Sequence, residues 1–230
     1  MIILTGDTHG EFYRIEEFCE EYDTTPEDVM VILGDAGVNY WLDERDEALK
    51  GRLAQLPITL FCIHGNHEQR PEELSVYEQA EWRGGMVWME PDYPNLLFAQ
   101  DGEVYDFDGK KALVIGGAYS VDKYYRLASG QRWFSTEQPD GRIKDRVKRR
   151  LDQLCWQVDY VFSHTVPLSY IPRHALLPTI DQSTVDRSTE FWLEEIERKL
   201  TYERWYAGHY HVTCSLGRVQ ILYEDYEELE

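Results

Sequence analysis

No Cys-x-x-Cys pair occurs in this chain of 230 residues; Cys19, Cys62, Cys155 and Cys214 are widely spaced, each in an apolar helix-like or strand-like context. That spacing argues against a zinc or redox motif and predicts reduced core thiols rather than a disulfide frame. Basic charge is scarce too, with 23 Lys and Arg against 43 Asp and Glu and a formal net charge of −20. Such a chain has no general electrostatic attraction for DNA, RNA or anionic lipid. The longest apolar runs, Ala112 to Tyr119 and Pro57 to Ile63, fall well short of the roughly 20 residues that cross a bilayer. Met1 leads straight into a strand-like run ending at Asp7, with no room for a signal peptide, so the expected location is the cytoplasm. Neither an internal repeat nor a low-complexity linker interrupts the chain. Its 43% hydrophobic and 13% aromatic content suffices for the core of one domain over residues 1–230.

What the chain does have is five short polar clusters: Gly6-Asp7-Thr8-His9-Gly10, Gly34-Asp35, Gly65-Asn66-His67-Glu68, Ser163-His164 and Gly208-His209-Tyr210-His211. Each follows a run rich in aliphatic or aromatic residues, where a buried strand would end. Between the clusters the sequence alternates strand-like and helix-like segments, the pattern of an α/β protein. Phe12, Ile15, Phe18, Cys19 and Tyr22 recur at helical spacing, with Glu16, Glu17, Glu20 and Glu21 on the other face. A second helix is expected from Asp43 to Leu56, buried through Ala48, Leu49, Leu53 and Leu56. Val29 to Leu33 and Ile58 to Ile63 are then strands parallel to the first.

From Met86 to Ile115 the short runs separated by Asp-Gly and Pro-containing turns predict a second, more antiparallel sheet. Residues 119–141 are the least regular part of the chain and predict a loop or small cap over the site. An amphipathic helix is expected near Ile143 to Val158, buried through Val147, Leu151, Leu154 and Cys155, and another through Trp192, Ile196 and Leu200. A hairpin through Gly217-Arg218 follows the last cluster. Glu224, Asp225, Glu227, Glu228 and Glu230 form an acidic, exposed end.

Any one cluster alone is an ordinary turn sequence; the ordered set is not. Asp7 and His9, like His209 and His211, stand at i, i+2, which puts both side chains on one face of an extended strand end. Carboxylates with imidazoles suit divalent cations that must also bind phosphate, because hard oxygen ligands accept the phosphate's partner ion and imidazole holds transition metals tightly. On these residues the chain resembles the calcineurin-like metallophosphoesterases, with all five metal motifs in order over residues 6–211. The resemblance implies an α/β fold of four layers, α/β/β/α, in which two mixed sheets are flanked by helices. It implies two divalent metal ions, with Asp7, His9 and His211 on the first, Asn66, His164 and His209 on the second, Asp35 bridging them, and His67 left for catalysis. Mn²⁺ is the expected metal; the same N/O set accepts Fe, Zn, Co or Ni.

The implied reaction is hydrolysis of a phosphate ester by a water shared between ions about 3.5 Å apart. A phosphomonoesterase or phosphodiesterase acting on a small or nucleotide-type phosphorylated substrate is expected, with His67 protonating the leaving oxygen. The Ser/Thr protein phosphatases are an alternative, but they follow Gly-Asp with Val-Asp-Arg-Gly and place Arg before Gly-Asn-His-Glu. Here Ala36-Gly37-Val38-Asn39 follows Asp35, and His64 precedes Gly65. A non-catalytic scaffold is the other alternative, disfavoured because His67 and every ligand are present. Arg126, Arg132 and Asn39 are the candidate substrate contacts, with Tyr124, Tyr125 and Trp133 nearby. The basic run from Arg142 to Arg150 reads as a solvated or ion-paired helix face. His64 is expected in the core and His174 on the surface.

Overall fold

The computed structural model describes residues 1–229. Its amino-terminal part is three parallel strands, β1 (Ile2–Thr5), β2 (Val29–Ile32) and β3 (Thr59–Cys62), joined by α1 (Tyr13–Glu21) and α2 (Glu44–Leu53). Side-chain alternation divides their apolar residues between two faces. Ile2, Leu4, Val31 and Leu33 join the core between the sheets, while Ile3, Met30 and Ile32 pack with Phe12, Ile15 and Phe18 beneath the helices.

The middle segment differs from the sequence expectation. β4 (Glu78–Trp82), β5 (Gly85–Met89) and β6 (Leu96–Ala99) extend the first sheet, β6 pairing parallel with β3, and only β7 (Val104–Phe107) and β8 (Lys110–Ile115) belong to the second. β4 is an edge strand with Glu78, Gln79 and Glu81 exposed, and only Ala80 and Trp82 turn toward the core. The irregular segment after β8 contains a short helix, α3 (Lys123–Ser129). Then come α4 (Gly141–Gln153), β9 (Tyr160–Ser163), α5 (Ser188–Glu197), β10 (Arg204–Ala207), the hairpin β11 (Cys214–Leu216) and β12 (Val219–Ile221), and β13 (Tyr226–Glu228).

Two mixed sheets result, ordered β13-β1-β2-β3-β6-β5-β4 and β11-β12-β10-β9-β8-β7. α1 and α2 cover the outer face of the first, α4 and α5 that of the second, so the fold is the four-layer α/β/β/α sandwich. Of the acidic carboxyl-terminal residues, Glu224, Asp225 and Glu228 are exposed and Glu227 is half-buried, while Tyr226–Glu228 pairs antiparallel with β1; Glu230 lies outside the described residues. Among the described residues no helix is long and apolar enough to cross a membrane.

Two helices are shorter than their apolar pattern predicts. α4 stops at Gln153, and Cys155 and Trp156 follow in left-handed conformations (φ 52° and 57°), leaving Cys155 exposed rather than in the core. Cys19 and Cys62 are buried, and all four thiols are free. α2 buries Asp46, Lys50 and Leu53, with Leu49 half-buried against the core and Ala48 exposed. Its buried polar groups are satisfied: Asp46 accepts from the Trp41 and Leu42 amides at 3.1 and 2.7 Å, and Lys50 pairs with Glu90. Half of the basic residues on α4 are paired, Arg142 with Asp140, Arg146 with the Asp101 carbonyl and Arg150 with Glu103.

Candidate metal centre

The five clusters follow the carboxyl ends of β1, β2 and β3 in one sheet and β9 and β10 in the other. All five strands belong to parallel runs, so these ends meet at one edge of the sandwich. The loops are stitched together by backbone. The Thr8 and His9 amides donate to the Asp35 carbonyl at 3.1 and 2.8 Å, Gly117 N donates to the His64 carbonyl at 2.7 Å, and Gly208 N to the His164 carbonyl at 2.9 Å. Close approach requires glycine, as Gly34 and Gly65 show. A Cβ on Gly34 (φ +99°) would sit 2.0 Å from the His164 Nδ1, and one on Gly65 would sit 2.0 Å from an Asp35 oxygen. His9, Asp35, His209 and His211 themselves adopt positive φ, a backbone strain found at functional sites.

In one half of the centre, Asp7 is buried, and its Oδ1 accepts from the His209 amide at 2.8 Å. Its Oδ2 has no hydrogen-bond partner and lies 3.2 Å from His211 Nε2 and 3.6 Å from His9 Nε2. His9 Nε2 and His211 Nε2 are 2.9 Å apart. Two imidazole nitrogens approach this closely only with a proton or a cation between them. Arg14 of α1 holds this loop from behind, donating to the Gly6 and Asp7 carbonyls at 3.0 and 2.8 Å.

In the other half, His164 is fully buried, with Nδ1 2.8 Å from the Leu33 carbonyl, which it can only donate to. Its Nε2 therefore points inward, 2.8 Å from Asn66 Oδ1 and 3.6 Å from Asp35 Oδ2. Asn66 is oriented the same way, since its Nδ2 donates to Ser120 Oγ at 2.9 Å and leaves Oδ1 facing the centre. The His209 ring stands 4.9 Å from that of His164. Asp35 lies between the halves: Oδ1 accepts from the His67 amide at 2.8 Å, and Oδ2 is 4.0 Å from both His9 and His67 Nε2.

This donor set fits two cations. Asp7, His9 and His211 bring ligand atoms within 4.8 Å of one another, as do Asp7, Asp35 and His164, so the two groups share Asp7. Asp7 Oδ2 is an orphaned buried oxygen, and the Nε2 of His164 converges with two oxygens where a positive charge is needed. Without a cation a proton serves instead. Burial disfavours the charged imidazole, yet Asp35 and Asp7 together raise the His164 pKa to about 9, while Asp35 itself, despite its burial, is held well below the usual carboxylate range by His164 and His67. Burial and the nearby His164 push His209 down to about 3, so that ring is neutral and ready to ligate.

Metal binding therefore carries a proton balance of definite sign. His164 binds its proton below about pH 9, and a ligating Nε2 must lose it, so metal binding at pH 7.5 should release at least one proton. Calorimetric titration with Mn²⁺ in buffers of unlike ionisation enthalpy reads that number; a value of zero rules out the protonated His164. Ser120 has an effect of its own. Ser120→Ala frees the Asn66 amide to rotate and should weaken metal binding about 10- to 100-fold while leaving thermal unfolding of the metal-free protein nearly unchanged. Chelator competition measures it, and an unchanged affinity removes the positioning role.

His67 is close to the cluster without joining it. Its ring is 5.6 Å from that of His9, and its Nε2 is 3.5 Å from Arg126 Nη2. Burial first, and then the Arg126 charge, hold its pKa below the usual imidazole value against the pull of Asp35. Of the candidate substrate contacts, the structure brings Arg126 of α3 to the centre, anchored by Asp122 at 2.7 Å and by the Tyr40 hydroxyl at 3.2 Å. Arg132 is exposed, interacts with Asp43 and lines neither cavity beside the centre. Asn39 is buried with Oδ1 accepting from the Tyr77 hydroxyl at 2.9 Å, so its side chain faces the core. Tyr124 and Tyr125 are exposed, Trp133 donates to Glu137, His64 is buried, and His174 is at the surface.

The family model described as calcineurin-like phosphoesterase matches residues 1–213. The chain belongs to this family. Among solved structures, the protein TT1561 of Thermus thermophilus is similar at TM-score 0.52 and 12% identity, covering 96% of this chain and 87% of that one, which shows a common fold. A Saccharomyces cerevisiae serine/threonine phosphatase similar to human PP5 aligns at TM-score 0.33 and 15% identity over 96% of this chain and 66% of that one, too loosely to carry an argument. Among curated proteins there is no match. The calcineurin-like phosphoesterases are metal-dependent hydrolases of phosphate esters that typically hold a dinuclear centre, and the Asp and His groups here can bind metal.

Two residues that support this centre, Arg14 and Ser120, carry no distinguishing signal in the sequence. Arg14 is the second residue of α1, in a helix rich in glutamate. Ser120 is marked only by following Gly116-Gly117 at the end of β8. Glu68 belongs to a motif but works from beneath, its Oε1 accepting from the Gly65 amide at 2.8 Å; burial, with Asp35 nearby, pushes its pKa up to about 8.

Proposed function

We propose that the chain hydrolyses small or nucleotide-type phosphate esters, as a phosphomonoesterase or phosphodiesterase, with two divalent ions, Mn²⁺ fitting the donor set. The observation that carries this reading is the pair of lone-pair-rich half-sites joined at Asp7 and Asp35, one buried around His164 and the other open to solvent at His9 and His211, with His67 beside them and outside them. Asp7, His9 and His211 would hold one ion and Asn66, His164 and His209 the other, with Asp35 shared. When bound, the ions supply a nucleophile from water at neutral pH and neutralise phosphoryl oxygens. The chain's own residues do the rest. Arg126, tethered by Asp122, presents N–H donors to a phosphoryl oxygen next to His67, and the His67 ring donates its proton toward the leaving oxygen.

The protein phosphatase alternative is weakened by His64. It occupies the place of the second phosphate-clamping arginine and is 3% exposed, so it cannot reach a phosphate at the surface. The test is an Mn²⁺-loaded assay of p-nitrophenyl phosphate beside bis-p-nitrophenyl phosphate. Turnover of at least one, lost with a chelator and restored by metal, is expected. No turnover of either with both ions bound rejects the reading.

A further inference from the structure

Two cavities open on the centre from different sides, and His67 lines both. The larger, about 610 Å³, begins at His9 and Gly37 and reaches Trp41, Arg45 and Arg126. Its size is within the roughly 300–1,000 Å³ of small-molecule sites. Its chemistry is aromatic and cationic in a protein of net charge −20. Trp41 is held ready: its amide is tied to Asp46, Tyr40 meets its edge at 4.7 Å, the Arg45 guanidinium covers it at 3.5 Å, and it still keeps 39% of its surface exposed. Arg45 and Arg126 both line this cavity and are each held by a carboxylate, Asp43 and Asp122, with Arg126 also bonded to the Tyr40 hydroxyl at 3.2 Å.

The smaller cavity, about 230 Å³, starts at Asp35, Asn66 and His209 and is walled by Ile171, Leu176, Leu177 and Ile180. Leu177 is 55% exposed at the surface. An exposed leucine beside other aliphatic side chains at the edge of a charged centre is favourable when a ligand covers it. The space admits a ring or a short chain.

A phosphate monoester has one substituent and would leave one cavity unfilled; a diester has two. We infer that the substrate is a phosphodiester with two unlike arms, a planar nucleotide-type arm against Trp41, Arg45 and Arg126 and a small apolar arm against Leu176, Leu177 and Ile180. This rests on the phosphoesterase reading and adds the substrate class. In the reaction the oxygen of water bonds to phosphorus and the P–O bond to one arm breaks. One water proton ends on the departing oxygen by way of His67, and the other is released as the product monoester ionises. Arg126, the guanidinium beside His67, can donate to a phosphoryl oxygen of such a diester.

The test compares three esters with the Mn²⁺-loaded enzyme: thymidine 5′-(p-nitrophenyl phosphate), methyl p-nitrophenyl phosphate and p-nitrophenyl phosphate. The nucleotide diester should exceed the methyl diester by about 100-fold in kcat/KM, because it alone fills the larger cavity, and should also exceed the monoester. Trp41→Ala should remove about tenfold of that preference through KM, with kcat changed less. Leu177→Asp should lower kcat/KM for both diesters more than for the monoester. Equal rates for the two diesters, or a faster monoester, overturn the inference. Silence on all three esters would sink the phosphoesterase reading itself, and calorimetric binding of thymidine 5′-monophosphate then decides the cavity independently. Saturable binding weakened at least tenfold by Trp41→Ala supports it, and binding indifferent to Trp41 overturns it.

Discussion

Asp35→Asn is expected to lower kcat/KM on the order of 10³-fold or more and to reduce bound metal from two ions to one or none. The substitution is nearly isosteric, and the Asn carbonyl oxygen can still accept from the His67 amide at the present 2.8 Å. What changes is the other atom. Oδ2 faces His164 Nε2 at 3.6 Å and the Nε2 atoms of His9 and His67 at 4.0 Å, where an NH₂ group would point two protons at imidazoles and at the cation position. Loss of the carboxylate also removes the main charge that raises His164, so its pKa should fall from about 9 and fewer protons should be released on metal binding. Metal analysis after gel filtration, steady-state rates and the calorimetric proton count read all three effects. Two retained ions with a rate within tenfold of wild type would show that Asp35 is not shared between ions.

His67→Ala should cost about 10² to 10⁴-fold in turnover of esters whose leaving oxygen needs a proton, and much less for p-nitrophenyl esters, whose leaving group is stable as an anion. Metal content should not change, since the ring reaches no closer than 4.0 Å to Asp35 and makes none of the clustered ligand contacts. Rates across a series of phenyl esters with progressively more basic leaving groups therefore separate the variant from wild type by slope, not by a uniform drop. Ions lost together with activity would make His67 a ligand instead.

The divergence between sequence and structure follows from what each element depends on. β1, β2, β3, β9 and β10 are short apolar runs, nearly all of their residues buried, and glycine follows every one but β9, so their place and type are local properties. β4 could not be read, because an edge strand needs one paired side and only Ala80 and Trp82 turn toward the core. β5 and β6 were expected in the second sheet, but β6 is bound to β3 by long-range pairing that no local pattern encodes. The face of α2 was misread for another reason: Asp46 and Lys50 are buried by partners at Trp41, Leu42 and Glu90, and polar burial depends on the partner. Arg126 and Arg132 looked equivalent in sequence; the short helix α3 turns the first toward His67, while the second remains exposed near Asp43.

By itself the sequence determined that five clusters of potential metal ligands follow the strand ends of an α/β chain, because apolar strand runs and ligand-type residues are encoded within a few residues of each cluster. The tertiary structure alone decided how those donors are aimed: Leu33 and Ser120 orient His164 and Asn66, Arg14 braces Asp7, and Trp41, Arg126 and Leu177 from distant segments shape two unlike cavities around His67. Orientation depends on neighbours far along the chain, and only closing the two sheets against each other brings them within hydrogen-bonding distance.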